Sequence, residues 1–236
     1  MSTKFKKIPI PPGIRKKASI AVSHALKNMK YGSGINQLEK YRKSYSFDDK
    51  LLYALGLIYD HRGMQISGHL YSQKPRVSPQ RKKKSDYCFG MAGKIFHDIL
   101  SRDPKNTNAL FRLGVLFELK KRYKQALKFK LKAYRIGTKD KEKRIPLLIG
   151  FTYLKMGKKR EAEKWIKREL ELLGKEEVSA NLNILLFFFL TKEYKKALPY
   201  ALKAEKILKS QRKTMGKEIQ VLWRKRIQKT KRMANP

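Results

Sequence analysis

The sequence predicts an all-α protein, built as an α-solenoid of antiparallel helix pairs and closed by a C-terminal capping helix. Three observations carry that reading. In Thr107 to Ile136, Leu110, Leu113, Gly114 and Phe117 share one helical face, and Tyr123, Ala126, Leu127 and Ala133 share a second, with a turn between. Gly114, Ala126 and Ala133 are the small residues that let two antiparallel helices come close. The pattern then recurs: Gly150 lies 36 residues after Gly114, with Ile149, Tyr153, Gly157, Ala162 and Leu170 at matching offsets. Ala197 lies 35 residues after Ala162, with Phe188, Tyr194, Ala201 and Ala204 around it and Leu185 in place of the glycine. Finally, one helix pair cannot bury such a face alone, so copies must stack on either side.

Taken in order, residues 1–13 form a basic N-terminal arm, with Lys4, Lys6 and Lys7 around Pro9, Pro11 and Pro12. Such an arm either threads along a phosphate backbone or is a solvated tail. Residues 14–48 read as a degenerate helix pair: Ile14 to Tyr31, a turn at Gly32-Ser33-Gly34, then Ile35 to Tyr45. The repeats occupy residues 49–213. Asp48 and Asp49 open their first helix, whose inner face is Leu52, Leu55, Gly56 and Tyr59. The matching second helix carries Ala92, Phe96 and Leu100, ends at Pro104, and starts about two dozen residues late, with Cys88 at its start as a small buried hydrophobe. Between them, residues 64–86 read as a basic insertion, either a contact to nucleic acid, with Tyr71 stacking on a base, or a solubilising loop. Asp103-Pro104 ends this repeat and Asn106 caps the next helix. Residues 214–236 give the capping helix, with Met215, Ile219, Leu222, Trp223 and Ile227 as one apolar stripe, followed by a basic tail. Trp165 and Trp223 read as core or cap anchors.

The succession of a large residue, Leu-Gly, Tyr, Ala, Phe and Ala, ending in Pro, is carried here by Leu113-Gly114, Tyr123, Ala126 and Ala133, by Leu55-Gly56, and by Ala92, Phe96 and Pro104. From Asp49 to Lys209 the chain thereby resembles the tetratricopeptide repeat family. The resemblance implies a right-handed superhelix with second helices on the convex surface and first helices lining a concave groove. A basic stripe would then run through Lys124, Lys128, Lys130, Lys132 and Arg135, through Lys158 to Arg160, Lys164, Lys167 and Arg168, and through Lys192, Lys195, Lys196, Lys203, Lys206 and Lys209. The implied groove includes Tyr53, Leu57, Phe111, Val115, Leu147, Phe151, Leu186 and Phe189, although Phe187 to Phe189 read more readily as ordinary core. The family's carboxylate clamp needs asparagines, and the corresponding positions are Lys50, Ala54, Leu57, Arg112, Arg144 and Leu148, which disfavours the acidic tail of a chaperone.

The 236 residues carry 58 Lys and Arg against 19 Asp and Glu, a formal net charge of +39. That imbalance repels itself and calls for a polyanion, whether RNA, DNA, an anionic membrane surface or an acidic protein. No catalytic set is legible. His24, His61, His69 and His97 lack metal-ligand spacing, Cys88 is a lone cysteine, and there is no GxxxxGK[ST] or GxGxxG. No catalytic residue, metal site or cofactor is therefore expected. The longest apolar run, Ile184 to Leu190, is too short to span a bilayer, and the prolines near the N-terminus interrupt any signal-peptide core, so a cytoplasmic protein, monomeric alone, is expected, with nuclear or organellar placement as the alternatives.

These readings combine into a non-catalytic scaffold on RNA or a ribonucleoprotein, with the ribosome as a candidate. The phosphate contacts are assigned to Lys74, Arg76, Arg81, Lys82, Lys83 and Lys84 of the insertion and to Arg224, Lys225 and Arg226 of the tail. The alternative is a protein-protein adaptor that holds a partner helix or peptide on Tyr53, Phe111, Val115, Phe151 and Phe189.

Overall fold

The computed structural model describes residues 8–68, 77–137, 145–173, 178–210 and 217–234. They fold as paired antiparallel helices in two compact units, Met1–Lys121 and Arg122–Pro236.

In the first unit, α1 (Pro12–Lys27) and α2 (Tyr31–Ser44) pair across a turn in which Met29 takes a left-handed φ of 55°. The turn thus lies earlier than Gly32-Ser33-Gly34, and those residues belong to α2. The reason is packing: a Cβ on Gly34 would stand 2.5 Å from the Ala25 side chain, so the glycine is there for helix contact. A two-residue parallel bridge joins β1 (Ile8–Pro9) to β2 (Tyr45–Ser46).

Next come α3 (Asp49–Ser67) and α4 (Pro79–Arg102), 19 and 24 residues long. Asp48 caps α3 by accepting from Leu51 N–H at 2.9 Å, and Gly68 ends it at φ 77°. Two heptad-spaced glycines bring the pair together: a Cβ on Gly56 would meet the Phe96 ring at 2.7 Å, and one on Gly63 the Phe89 ring at 2.6 Å. Ser85 Oγ also donates to Gly63 O at 2.9 Å. The late start and long insertion expected from the sequence are therefore corrected. Residues 64–67 continue α3, residues 79–86 already belong to α4, and Cys88 lies buried well inside it. Burial pushes its thiol pKa up, against the pull of Arg62, as for a packing residue. The unit ends with α5 (Thr107–Leu119), capped by Asn106, whose side chain accepts from Ala109 N–H at 3.0 Å.

The second unit begins with α6 (Tyr123–Ile136) and continues with α7 (Ile145–Lys155) and α8 (Lys159–Leu173). Gly150 works as its place in the pattern requires, since a Cβ there would meet Ile166 at 2.5 Å and the Ala162 carbonyl at 3.0 Å. Tyr134 meets Trp165 edge to face at 5.1 Å, which makes Trp165 an anchor. The pair α9 (Val178–Leu190) and α10 (Tyr194–Ser210) follows, with Leu185, Phe187 and Phe188 buried in one core with Ala197, Ala201 and Ala204. The capping helix α11 (Lys217–Ala234) packs on α10 and adds Trp223 and Ile227 to that core. Leu222, expected on the inward stripe, is instead 47% exposed, because the inward face runs through Trp223, Ile227, Thr230 and Ala234. Among the described residues no helix is long and apolar enough to cross a membrane.

Candidate interaction surfaces

Each unit carries two chemically different surfaces. Apolar side chains at the inner positions of first helices are neither core nor fully exposed: Tyr53, Phe111 and Val115 in the first unit and Phe151 and Phe189 in the second are all half-buried. Tyr53 leans on Phe96 at 5.8 Å, while Phe189 meets Tyr194 edge to face at 5.9 Å and has Lys229 Nζ over its ring at 5.7 Å. Phe187 and Phe188, by contrast, are core.

Beside Tyr53 lies an arrangement that the sequence reading missed. Asp60 is wholly buried in α3, and neither of its carboxylate oxygens has a hydrogen-bond partner. Arg112 Nη1 stands 3.6 Å from Asp60 Oδ2, within ion-pair range but too far for a good hydrogen bond, while Arg112 Nε donates to Tyr53 Oη at 3.4 Å. Burial raises the Asp60 pKa, and the charges of Arg112 and His61 only partly oppose it. The available signal was an aspartate directly after the apolar run from Leu51 to Tyr59.

The basic residues divide by role. Lys74 and Arg76 lie outside the described residues, as do Tyr71 and Met215. Arg81, Lys82, Lys83 and Lys84 are exposed on the first turns of α4, with no acid in its first turn to offset them. Arg81 is already engaged: its Nε donates to Ile66 O at 3.1 Å and so caps the last turn of α3. On α11, Arg224 and Lys225 are exposed, while Arg226 is half-buried with its guanidinium 4.9 Å above the Trp223 ring. Arg226 is thus part of the cap's packing, and burial lowers its pKa.

The expected basic stripe loses one member. Lys130 is buried, with Nζ donating to Thr152 Oγ1 at 2.9 Å and to Leu148 O at 3.3 Å. It joins α6 to α7, and its amphipathic length lets a lysine in the second-helix pattern turn inward. Lys124, Lys128, Lys132 and Arg135 of α6, Lys158 to Arg160, Lys164, Lys167 and Arg168 of α8 and its leading turn, and Lys195, Lys196 and Lys206 of α10 are exposed. Lys192, in the turn ahead of α10, is exposed too, Lys203 is half-buried, and the side chain of Lys209 lies outside the described residues. Short-range acids answer some of them, as in Lys167 to Glu163 at 2.7 Å and Arg168 to Glu171 at 2.7 Å. Lys82, Lys83, Lys84, Lys164 and Lys195 form no ion pair among the described residues.

A cavity of about 380 Å3 in the first unit is lined by Arg42, Tyr45, Ser46, Phe47, Leu52, Asp98 and Arg102. Its guanidiniums are engaged by acids already, Arg42 bonding Glu39 at 3.1 Å and Arg102 bonding Asp98 at 3.0 Å. Among the described residues no group of three or more His, Cys, Asp or Glu could hold a metal ion.

Helix pairs of this kind are shared with several solved structures. A double mutant of MamA RS-1 superposes with a TM-score of 0.60 at 17% identity, over 84% of this chain and 96% of that one. MamA 41-end from Desulfovibrio magneticus RS-1 gives 0.60 at 17%, over 84% and 97%. PilF of Pseudomonas aeruginosa gives 0.57 at 17%, over 94% and 89%. The fold is that of tetratricopeptide-like solenoid proteins. No protein-family model matches the chain, and no curated protein does. At this identity the likeness speaks for the fold alone, so function must be argued from the surfaces.

Proposed function

We propose that this chain is a non-catalytic cytoplasmic scaffold that holds a protein partner, as a helix or extended peptide, on the inner faces of the first helices within its units. The observation that carries this reading is the half-burial of Tyr53, Phe111, Val115, Phe151 and Phe189. Side chains of this size are normally driven fully into a core, and leaving them half out keeps apolar area for a second molecule to cover. The solenoid fold supports it, since stacked helix pairs create extended binding surfaces rather than enclosed catalytic pockets. Burying one such ring fully contributes about 1 to 2 kcal/mol. Two or three such anchors contribute about 2 to 6 kcal/mol, less than the roughly 8 kcal/mol of a micromolar complex, so the remaining contacts of the partner must supply the rest and the cost of association.

A second reading is favoured by the cations that no acid answers among the described residues, including Lys82 to Lys84, Lys164 and Lys195. In it, the basic faces dock the scaffold on RNA or a ribonucleoprotein such as the ribosome. Lysine supplies point charges rather than bidentate forks, so such docking follows the backbone and not the sequence.

Crosslinking and pull-down with and without ribonuclease separates the two. A defined protein that stays bound after ribonuclease and is lost in Phe111→Ala and Phe151→Ala supports the adaptor. Proteins released by ribonuclease, with RNA crosslinked to α4, support RNA docking and overturn the adaptor reading.

A further inference from the structure

We propose that the outward face of the capping helix α11 is a contact surface for an anionic lipid bilayer. This does not rest on the scaffold reading. Among the described residues the helix is held mainly by one side. Trp223 and Ile227 lie in the core, Thr230 is buried, and Lys231 Nζ reaches Glu205 of α10 at 2.6 Å. At 100° per residue the opposite side is centred on Lys225 and Arg232, with Val221 and Gln228 on one flank and Leu222, Lys229 and Met233 on the other.

On that side Val221 is 51% exposed, Leu222 47% and Met233 45%. Lys225 and Arg232 are exposed among them, and Lys229 is exposed at the edge of the face with its Nζ over the Phe189 ring. The helix sequence from Lys217 to Ala234 holds seven Lys and Arg and the single acid Glu218. From Val221 to Met233 the face runs about 18 Å along the axis.

The mixture of groups selects the partner. A nucleic acid would use the cations but gains nothing from three exposed aliphatic side chains, and the outward face has no aromatic ring on which a base could stack. A second copy of this chain, also at +39, would meet the face with like charge. A lipid surface with anionic headgroups answers both halves: phosphates and carboxylates take the lysines and arginine, and the acyl boundary takes Val221, Leu222 and Met233. Rigid anchoring through Trp223 and Ile227 means that the helix docks already folded, without an ordering cost.

The test is flotation of the full chain with vesicles of phosphatidylcholine alone and with about 30% phosphatidylserine, at about 0.1 M salt. Binding is expected to the anionic vesicles only. The triple variant V221S/L222S/M233S keeps every charge and is expected to weaken binding about tenfold. K225E/R232E is expected to weaken it more than K82E/K83E, an equal charge reversal on α4. Circular dichroism checks that the variants are folded, and the charge pair carries the test if the triple variant is not. Three results would overturn the proposal: no binding to anionic vesicles, a triple variant that floats like the parent, or charge reversals on α11 and α4 that act equally. A fourth would transfer the face to nucleic acid, namely a K225E/R232E variant that loses RNA binding while its flotation with anionic vesicles stays at the parent level.

Discussion

Asp60 and Arg112 show how one side chain can be both buried and badly satisfied. Because burial raises the Asp60 pKa, the folded state holds the proton more tightly than the unfolded chain does. Stability therefore falls as pH rises from the ordinary carboxylate value through the raised one. Asp60→Asn is expected to flatten that dependence and to leave the protein at least as stable at neutral pH, measured by denaturant unfolding across pH 4 to 7. Arg112→Met removes the charge opposite Asp60 and should cost about 1 to 3 kcal/mol. The pair Asp60→Asn with Arg112→Met should recover most of that loss, a coupling read by a double-mutant cycle. A different residue-scale limit stands at Gly150, whose missing Cβ faces the Ala162 carbonyl. Backbone cannot step aside as a side chain does, so Gly150→Ala should lower stability by about 1 to 3 kcal/mol in a thermal melt.

At the scale of elements, the turns within the pairs repeat as the helices do. Lys121, Gly157 and Lys192 take φ of 59°, 77° and 61° at the ends of α5, α7 and α9. In α7 the Gly157 N–H donates to Leu154 O and Lys158 N–H to Tyr153 O; in α9 the Lys192 N–H donates to Phe189 O and Glu193 N–H to Phe188 O. This is one left-handed cap used twice, once with glycine and once with lysine. Lys192→Gly is expected to raise stability by about 1 kcal/mol by relieving the Cβ contact, whereas Gly157→Lys should lower it by a similar amount, both read from denaturant midpoints. Much of the architecture was legible because it rests on periodicity: Gly114, Gly150, Ala162 and Ala197 mark helices that the structure also contains. What was not legible depended on partners far away in sequence. Gly34 and Gly63 look like turn residues until Ala25 and Phe89 are seen opposite them, and Lys130 looks like a surface cation until α7 covers it. The half-buried inner residues were placed by analogy with the repeat pattern, but Asp60 and the exposure of Leu222 follow from helix rotation, which spacing alone fixes too loosely.

For the whole molecule the dominant fact is a charge of +39, to which exposed lysines and arginines of the second helices contribute. Self-repulsion of that size weakens when salt shortens its range, so the melting temperature should rise by about 2 to 5 °C between about 50 and 300 mM salt, measured calorimetrically. Binding to any polyanion should move the other way, with log K falling linearly in log salt. One contact ties these tendencies together. Arg81 closes the end of α3 through the Ile66 carbonyl while sitting in the cationic head of α4. An anion that draws the Arg81 Nε–H to itself competes with the carbonyl, so occupancy at the head of one helix and fraying at the tail of the other become coupled. Amide exchange at the last residues of α3 then becomes an internal gauge of what the basic surface has bound, with no label attached.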